Sequence, residues 1–169
     1  TEEVGNITKS GHVGVLGTTG TIKSDSYKIE INKFYPDVKV TQHSCPMWVP
    51  LVENNCFNEA GGQYFVQKYL DEIFEKDNQI DTLILACTHY PILKESILKY
   101  LPNGVQLVEQ GDLVAIKLED YLKRHVELAK NISSYGALNL LTTENSQKFD
   151  YHLNLFYGEH LKSKSIYLD

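Results

Sequence analysis

Residues 81–94 read D-T-L-I-L-A-C-T-H-Y-P-I-L-K, and this stretch decides the fold class of the chain. The apolar run 83–86 is short, continuous and ended by a polar turn, which is typical of a buried parallel strand. Pro91 favours a helix after the turn, because proline fits the first helical positions without losing a hydrogen bond. The thiol, hydroxyl and imidazole of residues 87–89 therefore follow a strand's carboxyl end, where ligands bind in open α/β sheets.

The remaining sequence alternates strand and helix patterns. Strands are expected over 12–17, 38–41, 82–86, 105–108, 137–141 and 165–168, and helices over 22–34, 59–75, 91–100, 111–129 and 145–157. Residues 42–58 are expected to form a long connection, and the acids 71–77 a solvated helix face. Such alternation requires crossover connections and a mainly parallel sheet flanked by helices. The predicted fold class is therefore α/β, with a boundary near 109–112.

Composition narrows the classes of function. The chain has 169 residues, a net charge of −6 and a pI near 5.5, which argues against nucleic-acid or anionic-membrane binding. No apolar stretch approaches the roughly 20 residues that span a bilayer. Three widely spaced cysteines fit neither a disulfide framework nor a C-x-x-C metal pattern, and suggest a reducing cytoplasm. Because the first residue is not Met, we expect a piece of a longer protein.

Cys87 is the leading chemical candidate. A free cysteine is most often a small buried hydrophobe. A strand-to-helix turn, however, faces the positive end of a helix dipole, which favours thiolate and also suits a bound carboxylate. His89 is close enough to relay a proton, although a lone histidine is more often structural. Cys45 is interpreted as a packing residue, and Cys56 as an incidental loop thiol.

The second candidate is the turn Gly17-Thr18-Thr19-Gly20-Thr21. Glycines permit close backbone approach to a ligand, and the threonines add hydroxyl groups. Thr21 is expected to cap the following helix, and a simple capping turn explains the spacing equally well. Because no Gly-Lys-Ser/Thr follows, the turn is not a P-loop.

Three ordered motifs resemble those of bacterial glutamate racemases. Residues 86–91 (A-C-T-H-Y-P) are similar to the second cysteine motif of that family. Residues 13–21 (V-G-V-L-G-T-T-G-T) and 44–53 (S-C-P-M-W-V-P-L-V-E) agree in the same order. Segments 107–111 and 142–149 fit as well, so the resemblance covers essentially the whole chain.

The resemblance implies an isomerase that interconverts L- and D-glutamate without metal, pyridoxal phosphate or another cofactor, and supplies D-glutamate for peptidoglycan. One cysteine thiolate removes the α-proton and a second thiol protonates the opposite face, each exchanging roles. By the resemblance, Cys87 is one of these thiols, His89 supports proton transfer and contacts substrate, and Glu53 orients His89. Further substrate contacts would come from three hydroxyl groups, those of Thr18, Thr21 and Thr88.

The chain departs from the family in its amino-terminal part. Full-length members begin with a strand ending in Asp-Ser-Gly and carry their first catalytic cysteine in Cys-Asn-Thr, and neither occurs here. Residues 1–112 therefore resemble the second lobe, and 113–169 a segment that completes the first. We expect the chain alone to be inactive, the full-length enzyme to be a homodimer, and glutamate to be its partner rather than nucleic acid or membrane. His89 favours glutamate racemases, because related aspartate racemases usually carry Glu after the Cys-Thr pair.

Two alternatives stay open at the level of sequence. A non-catalytic module for an acidic amino acid or a partner protein would use Thr18, Thr21 and Thr88 as contacts and leave Cys87 idle. A Cys-His acyl transferase or hydrolase would use Cys87 and His89 as nucleophile and base. Alkylation of Cys87 distinguishes an idle thiol from a catalytic one.

Overall fold

The computed structural model describes residues 4–133, 136, 138–158 and 161–168. It contains two compact units, Thr1–Val114 and Ala115–Asp169. The first unit is built on a four-stranded parallel sheet in the order β2-β1-β3-β4. Its strands are β1 His12–Gly17, β2 Lys39–Ser44, β3 Thr82–Ala86 and β4 Gln106–Val108. The α/β class and the mainly parallel sheet predicted from the sequence are confirmed.

Helices precede or connect these strands. They are α1 Val4–Ile7, α2 Thr19–Lys23, α3 Ser26–Phe34, α4 Trp48–Glu53, α5 Ala60–Lys76 and α6 Lys94–Tyr100, with a 3-10 turn at Tyr90–Leu93. Helix α7, Gln110–Arg124, runs across the boundary between the two units. Within the described residues, no helix is long and apolar enough to cross a membrane.

The sheet separates two hydrophobic clusters, as the two-residue period of a strand requires. Val13, Val15 and Ile84 contribute to one cluster, whereas Leu16 and Leu83 contribute to the other. The second cluster also takes the apolar stripe of α5, namely Val66, Leu70 and Ile73, which recur at helical spacing. Burial of each large aliphatic side chain contributes about 1.5–3 kcal/mol, so this core fixes the sheet that carries the site.

Helix breaks account for most differences from the predicted elements. The helix expected over 22–34 is interrupted before α3, where Asp25 adopts a left-handed conformation with φ of 52°. The helix expected over 91–100 begins instead as a 3-10 turn and becomes α-helical only at Lys94. Residues 42–58, expected to be a plain connection, contain α4, because Pro50 is tolerated in its first turn.

The second unit is small. It contains α8 Val126–Ala129, β5 Leu141–Thr142, α9 Ser146–Tyr157 and β6 Lys164–Ser165, and its two strands pair in parallel. The single helix expected over 111–129 is interrupted at His125. The strands expected over 137–141 and 165–168 are shorter and shifted, and residue 137 lies outside the described residues. Helix α9 agrees with prediction, and the Asn145 side chain caps it by accepting hydrogen bonds from Gln147 N and Lys148 N at 2.9 and 3.2 Å.

Asp77 joins the amino ends of β1 and β2. Its carboxylate accepts hydrogen bonds from His12 Nδ1 at 2.9 Å, Lys39 Nζ at 3.0 Å and Thr41 Oγ1 at 3.1 Å. The expectation that Asp77 lies on a solvated face is wrong, because only 5% of the residue is exposed. Burial by itself raises the pKa of Asp77, but these donors and the Gln79 N–H outweigh it and hold the pKa well below its usual range.

Candidate active site

The candidate residues follow three neighbouring strands at one edge of the sheet. Gly17, the last residue of β1, pairs with Ser44 on one side and with Ala86 on the other. Thr18, Cys45 and Cys87 each come directly after one of these residues. The parallel register therefore brings the two sequence candidates, the Gly-Thr turn and the Cys-Thr-His turn, to adjacent positions at the carboxyl edge.

Cys87, His89 and Glu53 form a short relay. The Cys87 sulfur lies 4.0 Å from His89 Nδ1, and His89 Nε2 lies 3.3 Å from Glu53 Oε1. In the tautomer that carries its proton on Nε2, which faces the Glu53 carboxylate, the imidazole presents the lone pair of Nδ1 to the thiol. The arrangement can accept a proton from Cys87 and return it, while the side chains of His89 and Glu53 remain 32% and 52% exposed.

Glu53 reaches His89 because it is the last residue of α4. Trp48 and Val52 bury one face of this helix in the core, which fixes its direction. The sequence carries a weak signal for α4, because Trp48, Val49 and Val52 recur at helical spacing and Pro50 suits a first turn. Two prolines close together obscured that signal.

The Gly-Thr turn is both a cap and a candidate contact surface. Thr18, rather than Thr21 as expected, is the N-cap residue of α2, and its Oγ1 accepts a hydrogen bond from Thr21 N at 3.3 Å. The two hydroxyl oxygens lie 3.0 Å apart, and both residues are half-buried. Thr88 is exposed at the adjacent turn. The structure therefore places the three threonines predicted to contact substrate, Thr18, Thr21 and Thr88, at the turns after β1 and β3.

The helix-dipole argument for Cys87 is not supported. The expected α-helix over 91–100 starts at Lys94, and the segment directly after the Cys-Thr-His turn is a short 3-10 turn. The imidazole of His89 is therefore the closest group available to accept the Cys87 proton among the contacts described above.

The two other cysteines have packing and loop environments. Cys45 is fully buried, and burial raises the pKa of its thiol well above the usual range. It is therefore a neutral packing residue, as predicted. Cys56 is partly exposed after α4, where its thiol donates to the Asn54 carbonyl at 3.2 Å.

Sequence reasoning missed a buried aromatic link at this edge. The Tyr90 hydroxyl donates to the Cys45 carbonyl at 3.2 Å, and the Tyr90 ring meets Trp48 edge-on with centroids 4.8 Å apart. It also missed Gln110, whose side-chain amide donates to the Leu85 carbonyl at 3.3 Å. No periodicity distinguishes either residue, since both act through contacts distant in sequence.

Comparison with known proteins identifies the family. No family model matches the chain. The chain is 37% identical over 161 residues to a glutamate racemase of Persephonella marina, covering 95% of this chain and 58% of that protein. The chain belongs to the glutamate racemase family. This confirms the resemblance carried by the three motifs of the sequence.

Solved glutamate racemases share the fold. A glutamate racemase isoform from Bacillus anthracis matches with a TM-score of 0.80 and 30% identity, over 97% of this chain and 59% of that one. A glutamate racemase from Francisella tularensis in complex with D-glutamate matches with a TM-score of 0.80 and 26% identity, over 99% and 61%. This racemase-family chain therefore spans about three-fifths of the length of the relatives it matches.

Proposed function

We propose that this chain supplies one half of the active site of a glutamate racemase, which inverts the α-carbon of glutamate without a cofactor. The observation that carries the proposal is the relay of Cys87, His89 and Glu53 at the carboxyl edge of the sheet. Family membership supports the reaction, and the geometry supports the assignment of these residues within it.

The chemistry follows from the relay. His89 takes the Cys87 proton, and the resulting thiolate removes the α-proton of glutamate, so that a C–H bond breaks and an S–H bond forms. A second thiol, which we assign to the remaining part of the enzyme, protonates the opposite face. In the reverse direction Cys87 is the acid, and His89 restores its proton.

Substrate binding is assigned to the neighbouring turns. The carbanion-like transition state requires donors already positioned around the carboxylates of the substrate. Thr88 would hold the α-carboxylate, while Thr18 and Thr21 would line the pocket beside it. The half-buried position of the last two suits groups that face a ligand.

The wider role follows from the reaction. D-glutamate would serve peptidoglycan synthesis, cell-wall biogenesis and cell shape in the cytoplasm, and the full-length enzyme would be a homodimer. Residues 113–169 would complete the first lobe of that enzyme. The acidic net charge of −6 supports a small-molecule substrate over nucleic acid or a membrane surface.

Complementation tests the proposal. The chain is assayed by circular dichroism with L- or D-glutamate, alone and after co-expression with an amino-terminal racemase segment carrying the Asp-Ser-Gly and Cys-Asn-Thr motifs. We expect turnover only in the complemented sample, its loss in Cys87→Ser, and its retention in Cys56→Ser. Robust turnover by the chain alone would contradict the half-site assignment.

A complemented sample without turnover counts against the racemase proposal. If such a sample still binds glutamate, and binding is unchanged by Cys87→Ser, the non-catalytic module for an acidic amino acid becomes the better account. Trapping of a covalent acyl adduct on Cys87 would instead favour a transferase or hydrolase.

A further inference from the structure

Tyr90 connects the two segments that carry the relay. It lies directly after His89, is fully buried, and donates its hydroxyl to the Cys45 carbonyl at 3.2 Å. The same carbonyl accepts a hydrogen bond from Trp48 N at 3.2 Å, where α4 begins. One carbonyl thus anchors both the start of the helix that ends in Glu53 and the residue that follows the Cys-Thr-His turn.

We propose that Tyr90 is a positioning residue whose hydroxyl sets the Cys-Thr-His turn against α4, and so brings His89 within reach of both Cys87 and Glu53. The inference rests on the proposed function of the relay. The Tyr90 hydroxyl donates to a backbone carbonyl, and not to the side chains of the relay.

The local hydrogen bonds show why one contact can control this geometry. The turn is closed internally, because Tyr90 N donates to the Cys87 carbonyl and Ile92 N to the His89 carbonyl, each at 3.2 Å. These bonds fix the shape of the turn but not its position relative to α4. The Tyr90 side chain contributes to that position through its hydroxyl and through its edge-on contact with Trp48 at 4.8 Å.

The surroundings of Tyr90 keep its hydroxyl protonated and its packing partner Trp48 fixed. Burial raises the pKa of its phenol far above the usual range, so the hydroxyl is protonated at neutral pH and can donate. Trp48 is itself tied to α5 by the hydrogen bond from its Nε1 to the Phe65 carbonyl at 3.3 Å. The anchor is therefore rigid on the α4 side, and loss of the hydroxyl should free the turn rather than the helix.

Tyr90→Phe isolates the hydroxyl. The ring can still pack on Trp48, and the Cys45 carbonyl keeps its partner in Trp48 N, so no buried group is left unpaired. The matched control is Tyr100→Phe, a partly buried tyrosine that packs against the same core cluster from the end of α6.

The readout is the alkylation of each cysteine in the folded chain by iodoacetamide at neutral pH, followed by peptide mass spectrometry. We expect Tyr90→Phe to slow alkylation of Cys87 about fivefold, the effect of losing one ordinary hydrogen bond, and to slow it no more than His89→Ala does. The double variant should be no slower than His89→Ala alone, because Tyr90 acts on Cys87 only through the position of His89. Cys56 should be alkylated at the wild-type rate in Tyr90→Phe, and Cys87 should be alkylated at the wild-type rate in Tyr100→Phe.

If Tyr90 only stabilised the core, Tyr90→Phe would change the alkylation rates in the opposite direction. Loosening of the core would expose both Cys87 and the buried Cys45, so both would be alkylated faster. Faster labelling of that kind, or an unchanged Cys87 rate in Tyr90→Phe, would overturn the proposal.

The complemented enzyme gives a second readout. There, Tyr90→Phe should lower kcat about fivefold and leave KM within about twofold, since the hydroxyl acts on the relay and not on substrate contacts. A change in KM alone would overturn the assignment. Absence of turnover in the wild-type complement would refute the racemase proposal, whereas the alkylation result would still decide the role of Tyr90.

Discussion

Asp77→Asn measures how strongly the amino edge of the sheet is fixed. The Asp77 side chain is 2% exposed, whereas its partners His12 and Lys39 are 20% and 59% exposed. The Lys39 pair is therefore largely screened by solvent and is worth about 0–1 kcal/mol. The bonds from His12, Thr41 and Gln79 N are charge-assisted and part-buried, at about 1.5–3 kcal/mol each before non-additivity. Because the amide keeps one acceptor oxygen, we expect a net loss of about 2–4 kcal/mol in the free energy of unfolding.

The stability lost in Asp77→Asn should depend on pH, and the pKa of Asp77 gives the direction of that dependence. The pKa of Asp77 is lower in the folded chain than in the unfolded one, where it is about 3.9. Its stabilisation is therefore complete above that value and is lost as the pH falls through the folded-state pKa. The stability difference between wild type and Asp77→Asn should be largest near neutral pH and should shrink below about pH 4.

Urea unfolding at pH 7 and pH 3 provides the assay, with the midpoint and slope compared between variants. Asp71→Asn, which changes an exposed acid on α5, the helix that ends just before Asp77, is the control and should stay within about 0.5 kcal/mol of wild type. An Asp77→Asn variant as stable as wild type at pH 7 would refute the argument. So would a difference that grows as the pH is lowered.

Two further substitutions test the packing beside α4 and the relay. At Gly62 an added Cβ would lie 2.4 Å from the Cys56 carbonyl oxygen, so Gly62→Ala should lower the free energy of unfolding by about 1–3 kcal/mol or more, measured by a thermal melt. At the control position, Gly61, an added Cβ meets nothing within 4 Å, so Gly61→Ala should be neutral or slightly stabilising. Glu53→Gln should lower kcat of the complemented enzyme by no more than about fivefold, because the contact between Glu53 and His89 is exposed and worth about 0.2–1 kcal/mol. A loss of turnover as complete as that expected for Cys87→Ser would contradict this and assign Glu53 a direct catalytic role.

The sheet could be predicted from sequence because its signals are local. Strands β1 and β3 are short apolar runs bounded by turns, and the alternation with helices requires a parallel sheet. The breaks at Asp25 and His125 were not predicted, since tertiary contacts and single backbone conformations override helical periodicity. The burial of Asp77 was missed for a related reason, because its donors come from strands distant in sequence.

The candidate site was predictable only in part. The position of Cys87 and His89 after a buried strand follows from the local pattern. The approach of Glu53 to His89 does not, because it depends on α4 and was available to sequence reasoning only through the family resemblance. Tyr90 and its shared carbonyl were beyond reach, since a buried hydroxyl bond between distant segments leaves no periodic trace.

The two edges of the sheet have different physical characters, and this separates stability from chemistry. At the amino edge, Asp77 is buried and saturated with donors, which stabilises the fold. At the carboxyl edge, the contacts of His89 are longer, at 4.0 and 3.3 Å, and partly solvent-exposed, which is compatible with the proposed catalytic role because such contacts often tighten only around a substrate. Asp77→Asn should therefore lower stability while leaving Cys87 alkylation in the folded chain within about twofold, and Glu53→Gln should change stability by less than about 0.5 kcal/mol. If Asp77→Asn slowed Cys87 alkylation as much as Tyr90→Phe does, the two edges would be coupled through the sheet and this separation would be wrong.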